Sequence, residues 1–467
     1  NNIRLFGGFM TIGKDDFIRF YATQVQSDDM SLFLGAGISA SSGYPTWSKL
    51  LEPCAKLLNI EITDSTNLFK LSQYYANQYG IPELKKVINN NINILNKQND
   101  LIAELTNFNF KTIWTTNFDT LVEKTLADKN ILTNIISDEK NLPNTKCLNR
   151  INIYKLNGDI NHLNEIVITQ EDIDSYNKNH ELFLTFLKKE LVTNTFLFLG
   201  YSFKDNIILS CLSSIKQYLG EGATCHYTIL KRESDDPEFQ HFIYDIEKRY
   251  PIKILLVDTY DEIPEILNEL KNKIQSKNIF FSGVFDSLPD DDEKFAKDIC
   301  KKITYELFER EYKIFTGYGR TFGYYLSGNA TQYLLTNNKE VERNLIIRPF
   351  QESMTSEEKT NYRKMLLSDC SVVIFMYGQK PDAKKNRTKY IVSDGMLEEF
   401  EIAKESGKYI IPVGSTGFVA KSIWNEVKSN LSKYAYLEKY IENLNSSDAS
   451  LVVKTILQIL NEISNHV

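Results

Sequence analysis

Two hydrophobic patterns alternate along the chain. Short apolar runs of strand length, MSLFL at 30–34, KTIW at 111–114, NIYKL at 152–156 and TFLFL at 195–199, each end in a turn carrying Gly, Asn, Asp or Ser. Between them lie stretches with helical spacing: 15–26, 47–58, a long run over 67–107, LVEKTL at 121–126 and ELFLTFLKKELV at 181–192. HYTILK at 226–231 and IKILLVD at 252–258 add strands, and 261–275 adds a helix. Strands alternating with helices predict a parallel sheet covered on both faces. Ligands in such a sheet sit at the carboxyl ends of the strands, so the polar turns are the candidate sites.

The pattern restarts near Ser276. A strand over 278–282 leads to a helix over 291–310, then to TGYGRTFG at 316–323 and to the apolar runs LIIRPF, SVVIFMYG and YIIPVGSTG. The expected fold class is therefore α/β, with two Rossmann-like parallel-sheet domains. The expected division is an N-terminal extension over 1–13, a first domain over 14–275 and a second over 276–467. The 467 residues are too many for a single core. Met10 reads as the natural start, with NNIRLFGGF before it as an extension rather than a signal peptide.

Composition narrows the classes. The net charge of −7 argues against a general nucleic-acid binder, which draws its affinity from a basic face. No apolar run approaches the roughly 20 residues a membrane helix needs, so no membrane span is expected. The cysteines, Cys54, Cys147, Cys211, Cys225, Cys300 and Cys370, form no C-x-x-C, so no zinc ribbon and no metal site are expected. Scattered unpaired cysteines fit a reducing, cytoplasmic setting. The adjacent Cys225 and His226 lie in a strand-like run and read as core.

Several turns carry chemistry. GAGIS at 35–39 follows a strand and opens a helix, a place where backbone N–H groups meet a pyrophosphate. TTNFD follows at 115–119, NGD at 157–159 and FLGYSFKD at 198–205. In that order they resemble the sirtuin NAD-binding fold, over roughly residues 14–270. The zinc module of protein-deacylating sirtuins is missing, which disfavours a deacylase. What remains resembles the sirtuin-like NAD hydrolases of bacterial phage defence. The resemblance implies NAD+ as substrate, with Gly35, Ala36, Gly37, Ser39, Gly200 and Ser202 as binding residues. It implies that Asn117 positions water and ribose hydroxyls, with Asp119 beside it in the pocket; Asp119 also suits a helix N-cap.

Position 157 departs from that family, which carries a histidine there. Asn157 can hydrogen-bond a ribose hydroxyl but cannot accept a proton at pH 7. The chain as written is therefore expected to bind NAD better than it cleaves it. Because the rest of the motif is kept, Asn157 reads as an engineered replacement made to trap a bound state; a natural loss is the alternative. His162, five residues on, lies beyond the turn and is a poor substitute.

In the second half, FSGVF at 281–285 and TGYGRTFG resemble the SLOG family of nucleotide-signal binders. A sirtuin-like domain followed by a SLOG domain is the layout of the Thoeris antiphage effectors. That resemblance implies activation by a cyclic ADP-ribose isomer made by a TIR-domain partner protein. It also implies a homotetramer that extends into filaments. The signal would be held by the backbone at Ser282 and Gly283, by the cations Arg363 and Lys380, by Glu399 on a ribose, and by Gly378, with the 414–417 turn as a weaker contact. A non-catalytic NAD or ADP-ribose sensor is the competing reading, favoured by Asn157.

Overall fold

The computed structural model describes residues 4–6, 9–27, 30–63, 65–92, 99–108, 110–146, 150–233, 236–351, 353–381 and 390–466. The chain forms two compact units, Asn1–Lys271 and Asn272–Val467.

The first unit opens with an antiparallel pair, β1 (Arg4–Phe6) and β2 (Phe9–Thr11). Its main sheet has seven strands: β3 (Met30–Leu34), β4 (Phe110–Thr115), β5 (Thr133–Ile136), β6 (Ile151–Lys155), β7 (Thr195–Leu199), β8 (His226–Lys231) and β9 (Ile252–Val257). The order is β5-β6-β4-β3-β7-β8-β9, and every pairing is parallel. Ile12 bridges to Leu255 on the β9 edge. From β3 the chain builds outward on one side through β4, then crosses over to β7 on the other. That reversal makes the end of β3 a topological switch point, where open α/β sheets bind ligands.

The central strands β3 and β7 are mostly apolar and buried along their whole length, as strands covered on both sheet faces are. Trp114 and Tyr154, on adjacent strands, stack with centroids 4.1 Å apart and nearly parallel planes. The described residues of the stretch 67–107, read above as one helical run, form three helices: Leu68–Tyr79, Ile81–Ile92 and Asp100–Leu105. Gly80, at φ +89°, breaks the first from the second, a conformation L side chains avoid. Strand β5 was not anticipated, because TNII is short and mostly half-buried at the sheet edge.

The second unit repeats the architecture with β10 (Asn278–Val284), β11 (Lys313–Thr316), β12 (Leu345–Ile347), β13 (Val372–Tyr377) and, after a hairpin of β14 (Gln379–Pro381) and β15 (Tyr390–Val392), β16 (Tyr409–Pro412). The order β12-β11-β10-β13-β16 is all parallel, with its switch point at β10. The helix Asp290–Glu309 starts with four acidic residues, Asp290 to Glu293, where the N-terminal partial positive charge favours them.

Cys54, Cys211, Cys225, Cys300 and Cys370 are free thiols, and Cys147 lies outside the described residues. Among the described residues no His, Cys, Asp and Glu group has metal-site geometry, and no helix is long and apolar enough to cross a membrane. His226 is fully buried at the start of β8, where its Nδ1 accepts from the Phe196 N–H at 3.2 Å. Burial pushes its imidazole down to about 3.

A histidine whose folded value lies below its ordinary 6.5 binds its proton more readily in the unfolded chain. Stability is thus full above pH 6.5 and falls as the pH drops from there toward 3. At about 1.4 kcal/mol per pH unit, the step from 6.5 to 5 costs roughly 2 kcal/mol. Urea unfolding of the first unit at pH 7.5 and pH 5 checks this. His226→Gln is expected to flatten the loss over that window; an equal loss in both proteins would exclude His226 as its source.

Candidate functional site

The turns after β3, β4, β6 and β7 meet at the switch point. Gly35 ends β3, and its N–H donates to the Leu199 carbonyl at 2.9 Å; the Gly37 N–H donates to the Gly200 carbonyl at 2.9 Å. The backbones are so close that a Cβ on Gly35 would lie 2.3 Å from the Gly200 oxygen. Gly200, at φ +63°, is itself pressed against Ile38. These two amides are therefore used within the fold. The short helix Ala36–Ser41 begins here, and Ala36 and Gly37 are exposed at its mouth.

Asn117 reaches back across the crevice from the β4 turn. Its Nδ2 donates to the Gly35 carbonyl and to Ser39 Oγ, both at 3.0 Å. Its backbone N–H donates to Thr115 Oγ1 at 2.9 Å. With both amide hydrogens committed, Oδ1 is left as the acceptor, and among the described residues it has no partner. Ser39 Oγ–H donates in turn to Asp119 Oδ2 at 2.7 Å, while Asp119 Oδ1 accepts from the Leu121 N–H at 2.9 Å. Asp119 is thus fixed in a buried polar network and accepts from the first N–H of the helix Leu121–Asp128, whose N-cap position is Thr120.

Asn157 stands beside Asn117 by register. Thr115 pairs with Lys155, so the two asparagines each lie two residues past the last paired position of adjacent strands. Asn157 is half-buried; its carbonyl accepts from the Val167 N–H at 3.0 Å, and its side chain has no hydrogen bond among the described residues. His162 is exposed in a one-turn helix beyond it. Ser202 is exposed after β7.

One group at this site escaped the sequence reading. The Lys155 ammonium is buried and is held by Glu123, Asp159 and the Asp119 carbonyl. Burial alone would lower its pKa; the two carboxylates more than offset that and hold it above the usual lysine range. Burial raises the Glu123 carboxyl against the pull of Lys155. The available signal was a lysine inside NIYKL, since a charge in a strand covered on both faces needs partners.

In the second unit the expected residues gather at the ends of β10 and β13. Ser282 Oγ–H donates to Glu399 Oε2 at 2.6 Å, and both are buried. Burial pushes the Glu399 carboxyl up to about 7, with Ser282 and Arg363 pulling the other way. Arg363 is no solvated surface charge. Its guanidinium lies 3.6 Å from Glu399, donates to Glu398 Oε2 at 2.7 Å and covers the Phe350 ring at 4.9 Å. Glu398 also accepts from Thr360. Lys380 pairs with Asp394 at 2.7 Å, at the head of the helix Asp394–Glu405 that carries Glu398 and Glu399. Gly378, at φ +116°, packs where a Cβ would strike Val419. A Cβ on Gly283 would strike Phe322. In the 414–417 turn, Thr416 Oγ1 accepts from the Tyr377 N–H at 2.8 Å. Glu398 and Phe350 were not anticipated, because the sequence does not show which acid or ring an arginine will meet.

Comparison with known proteins agrees with this division. Residues 111–253 match the SIR2-like domain family, and residues 262–463 match the Sir2- and TIR-associating SLOG family. The NAD(+) hydrolase ThsA of Bacillus cereus (strain MSX-D12) is 30% identical over 480 residues, spanning 96% of this chain and 98% of that protein. The NAD(+) hydrolase ThsA of Cytobacillus dafuensis is 30% identical over 453 residues, spanning 91% and 90%. Defense-associated sirtuin 2 of Bacillus subtilis is 22% identical over 192 residues, 40% of this chain and 19% of that protein. With two α/β units in the order SIR2-like then SLOG, and this identity along nearly the full length of both chains, the protein belongs to the ThsA family.

Proposed function

We propose that the first unit is an NAD+ glycohydrolase site and that a nucleotide signal bound to the second unit turns it on. The observation that carries the first half is Asn117. Its amide hydrogens are fixed by Gly35 and Ser39, so its Oδ1 is held in place as the remaining acceptor. Such an acceptor can hold a water or a ribose hydroxyl without rearranging when the reaction occurs. Two relatives spanning nine-tenths or more of this chain carry the name NAD(+) hydrolase, which supports the same reading.

In the proposed reaction the bond between ribose C1′ and nicotinamide breaks, and neutral nicotinamide leaves. Positive charge develops on the ribose, and water adds at C1′ to give ADP-ribose. The water's proton must go to a base. In this chain Asn157 stands at the position from which a histidine would receive it, and an amide does not accept a proton near pH 7. The buried Asp119 is committed to Ser39 and to the Leu121 N–H, so it orients rather than exchanges protons. The unaltered chain therefore binds NAD+ and turns it over slowly. If its biological role stops at binding, it is a sensor; the Asn157 side chain is the observation that favours this second reading.

For the second unit, the chain Ser282–Glu399–Arg363 forms a polar floor suited to a ribose hydroxyl and a phosphate, with Lys380 nearby on β14. The ligand proposed is a cyclic ADP-ribose isomer supplied by a TIR-domain partner protein, and the working assembly proposed is a homotetramer in the cytoplasm. Arg363 already answers to Glu398 and Glu399, so an incoming phosphate would share it with them.

Asn157→His is expected to raise nicotinamide release from NAD+ by at least about 10²-fold with signal present, the scale of one general acid–base group. Asn117→Ala in that background should abolish release while the protein stays folded. An unchanged rate in Asn157→His would favour the sensor.

Arg363→Ala should weaken signal binding by roughly 10- to 150-fold, the range for a charge-assisted hydrogen bond worth about 1.5–3 kcal/mol. NAD+ binding at the first unit should not change. A signal titration by calorimetry and by nicotinamide release, in the Asn157→His background, reads both; identical titrations would place the signal elsewhere.

A further inference from the structure

Lys155 makes side-chain contacts that reach both turns of the proposed NAD+ site. Its side chain leaves the end of β6, is 1% exposed, and turns toward β4. The ammonium donates to the Asp119 carbonyl at 2.5 Å, to Glu123 Oε1 at 2.7 Å and to Asp159 Oδ2 at 2.7 Å, with the Phe118 carbonyl at 3.4 Å. Three strong acceptors match the three hydrogens of an ammonium. Phe118 and Asp119 are the residues just after Asn117. Asp159 lies two residues after Asn157, and its other oxygen accepts from the Asn161 N–H at 2.7 Å. Glu123 sits in the first turn of the helix Leu121–Asp128, whose first N–H donates to Asp119 Oδ1. Backbone bonds close the same seam: Ile160 N–H to the Phe118 carbonyl at 2.8 Å, and Leu156 N–H to the Thr115 carbonyl at 2.9 Å.

We propose that Lys155 is a positioning residue that fixes the spacing between the Asn117 and Asn157 turns, so that the two side chains act on one ribose. The inference rests on reading this crevice as the NAD+ site. Lys155 acts through the turns; its ammonium is enclosed by protein and has no hydrogen left for a substrate. The Gly35–Ser39 turn and the end of β7, which would hold the rest of the dinucleotide, do not touch Lys155 in any of these contacts. Loss of Lys155 should therefore impair turnover far more than binding.

Replacing Lys155 alone would leave two buried carboxylates unpaired and endanger folding. The test variant is therefore Lys155→Met combined with Glu123→Gln and Asp159→Asn, which removes the three charges together. It is made in the full-length chain, with and without Asn157→His, and assayed with whichever cyclic ADP-ribose isomer gives the Asn157→His parent its highest rate. Calorimetric stoichiometry for NAD+ counts the folded sites. Expected is kcat per NAD+-binding site lower by about 10²-fold, the cost of misplacing a reacting group by roughly 1 Å, with KM for NAD+ little changed. Hydrogen exchange by mass spectrometry should speed up in peptides spanning 117–123 and 156–162 and nowhere else. An unchanged kcat per site overturns the proposal, as does unchanged exchange in those peptides. If the Asn157→His parent releases no nicotinamide at all, it is the reading of the crevice as an NAD+ hydrolase site that fails. The exchange comparison then decides by itself whether Lys155 fixes the two turns.

Discussion

At the ends of β3 and β7 the backbone of Gly35 lies against that of Gly200, nearer than any side chain on Gly35 would permit. That approach is held by two N–H to carbonyl bonds, from Gly35 to Leu199 and from Gly37 to Gly200. The rest of the site depends on it. It sets where the short helix from Ala36 begins, and so where Ser39 points. Ser39 and the Gly35 carbonyl then receive the Asn117 amide, and Ser39 passes the network on to Asp119. A shift of the glycine turn would leave Asn117 and Asp119 buried without their partners, which costs about 1–3 kcal/mol for each unsatisfied group.

The two units handle buried charge in similar ways. In the first, Lys155 is enclosed by Glu123 and Asp159 beneath the strand ends. In the second, Arg363 is held by Glu398 and Glu399, and Ser282 supplies a further hydrogen bond to Glu399. Both clusters lie at the carboxyl ends of parallel strands. Removing one member of either would strand the others in a low-dielectric setting, so each cluster is a unit for mutagenesis. Their exposure differs in consequence. Lys155 is sealed, whereas Glu398, a partner of Arg363, is part-exposed, and the separate Lys380–Asp394 pair at the head of the same helix is open to solvent.

Much of the fold was legible because buried parallel strands are near-continuous apolar runs. TFLFL, NIFFS and VVIFMY announce β7, β10 and β13 without help from tertiary context. TNII did not announce β5, since an edge strand with half-buried polar residues looks like a loop. The candidate site was legible as a set of turns, through their glycines and asparagines and through family resemblance. Its wiring was not. Nothing local in NIYKL says that Lys155 reaches Glu123, and nothing in NYRKMLL says that Arg363 meets acids 35 and 36 residues later. Those pairings follow from strand order and helix docking, which only the folded chain displays.

The central claim is that the Gly35–Ser39 turn, Asn117 and Asn157 together form one NAD+ site. A crystal structure of the unaltered chain grown with NAD+ tests it most directly, because Asn157 should let the intact dinucleotide accumulate. The account predicts the nicotinamide ribose between Asn117 and Asn157, with Asn117 still donating to the Gly35 carbonyl and Ser39. Dinucleotide bound away from the ends of β3, β4 and β6, or an empty crevice at saturating NAD+, would contradict it.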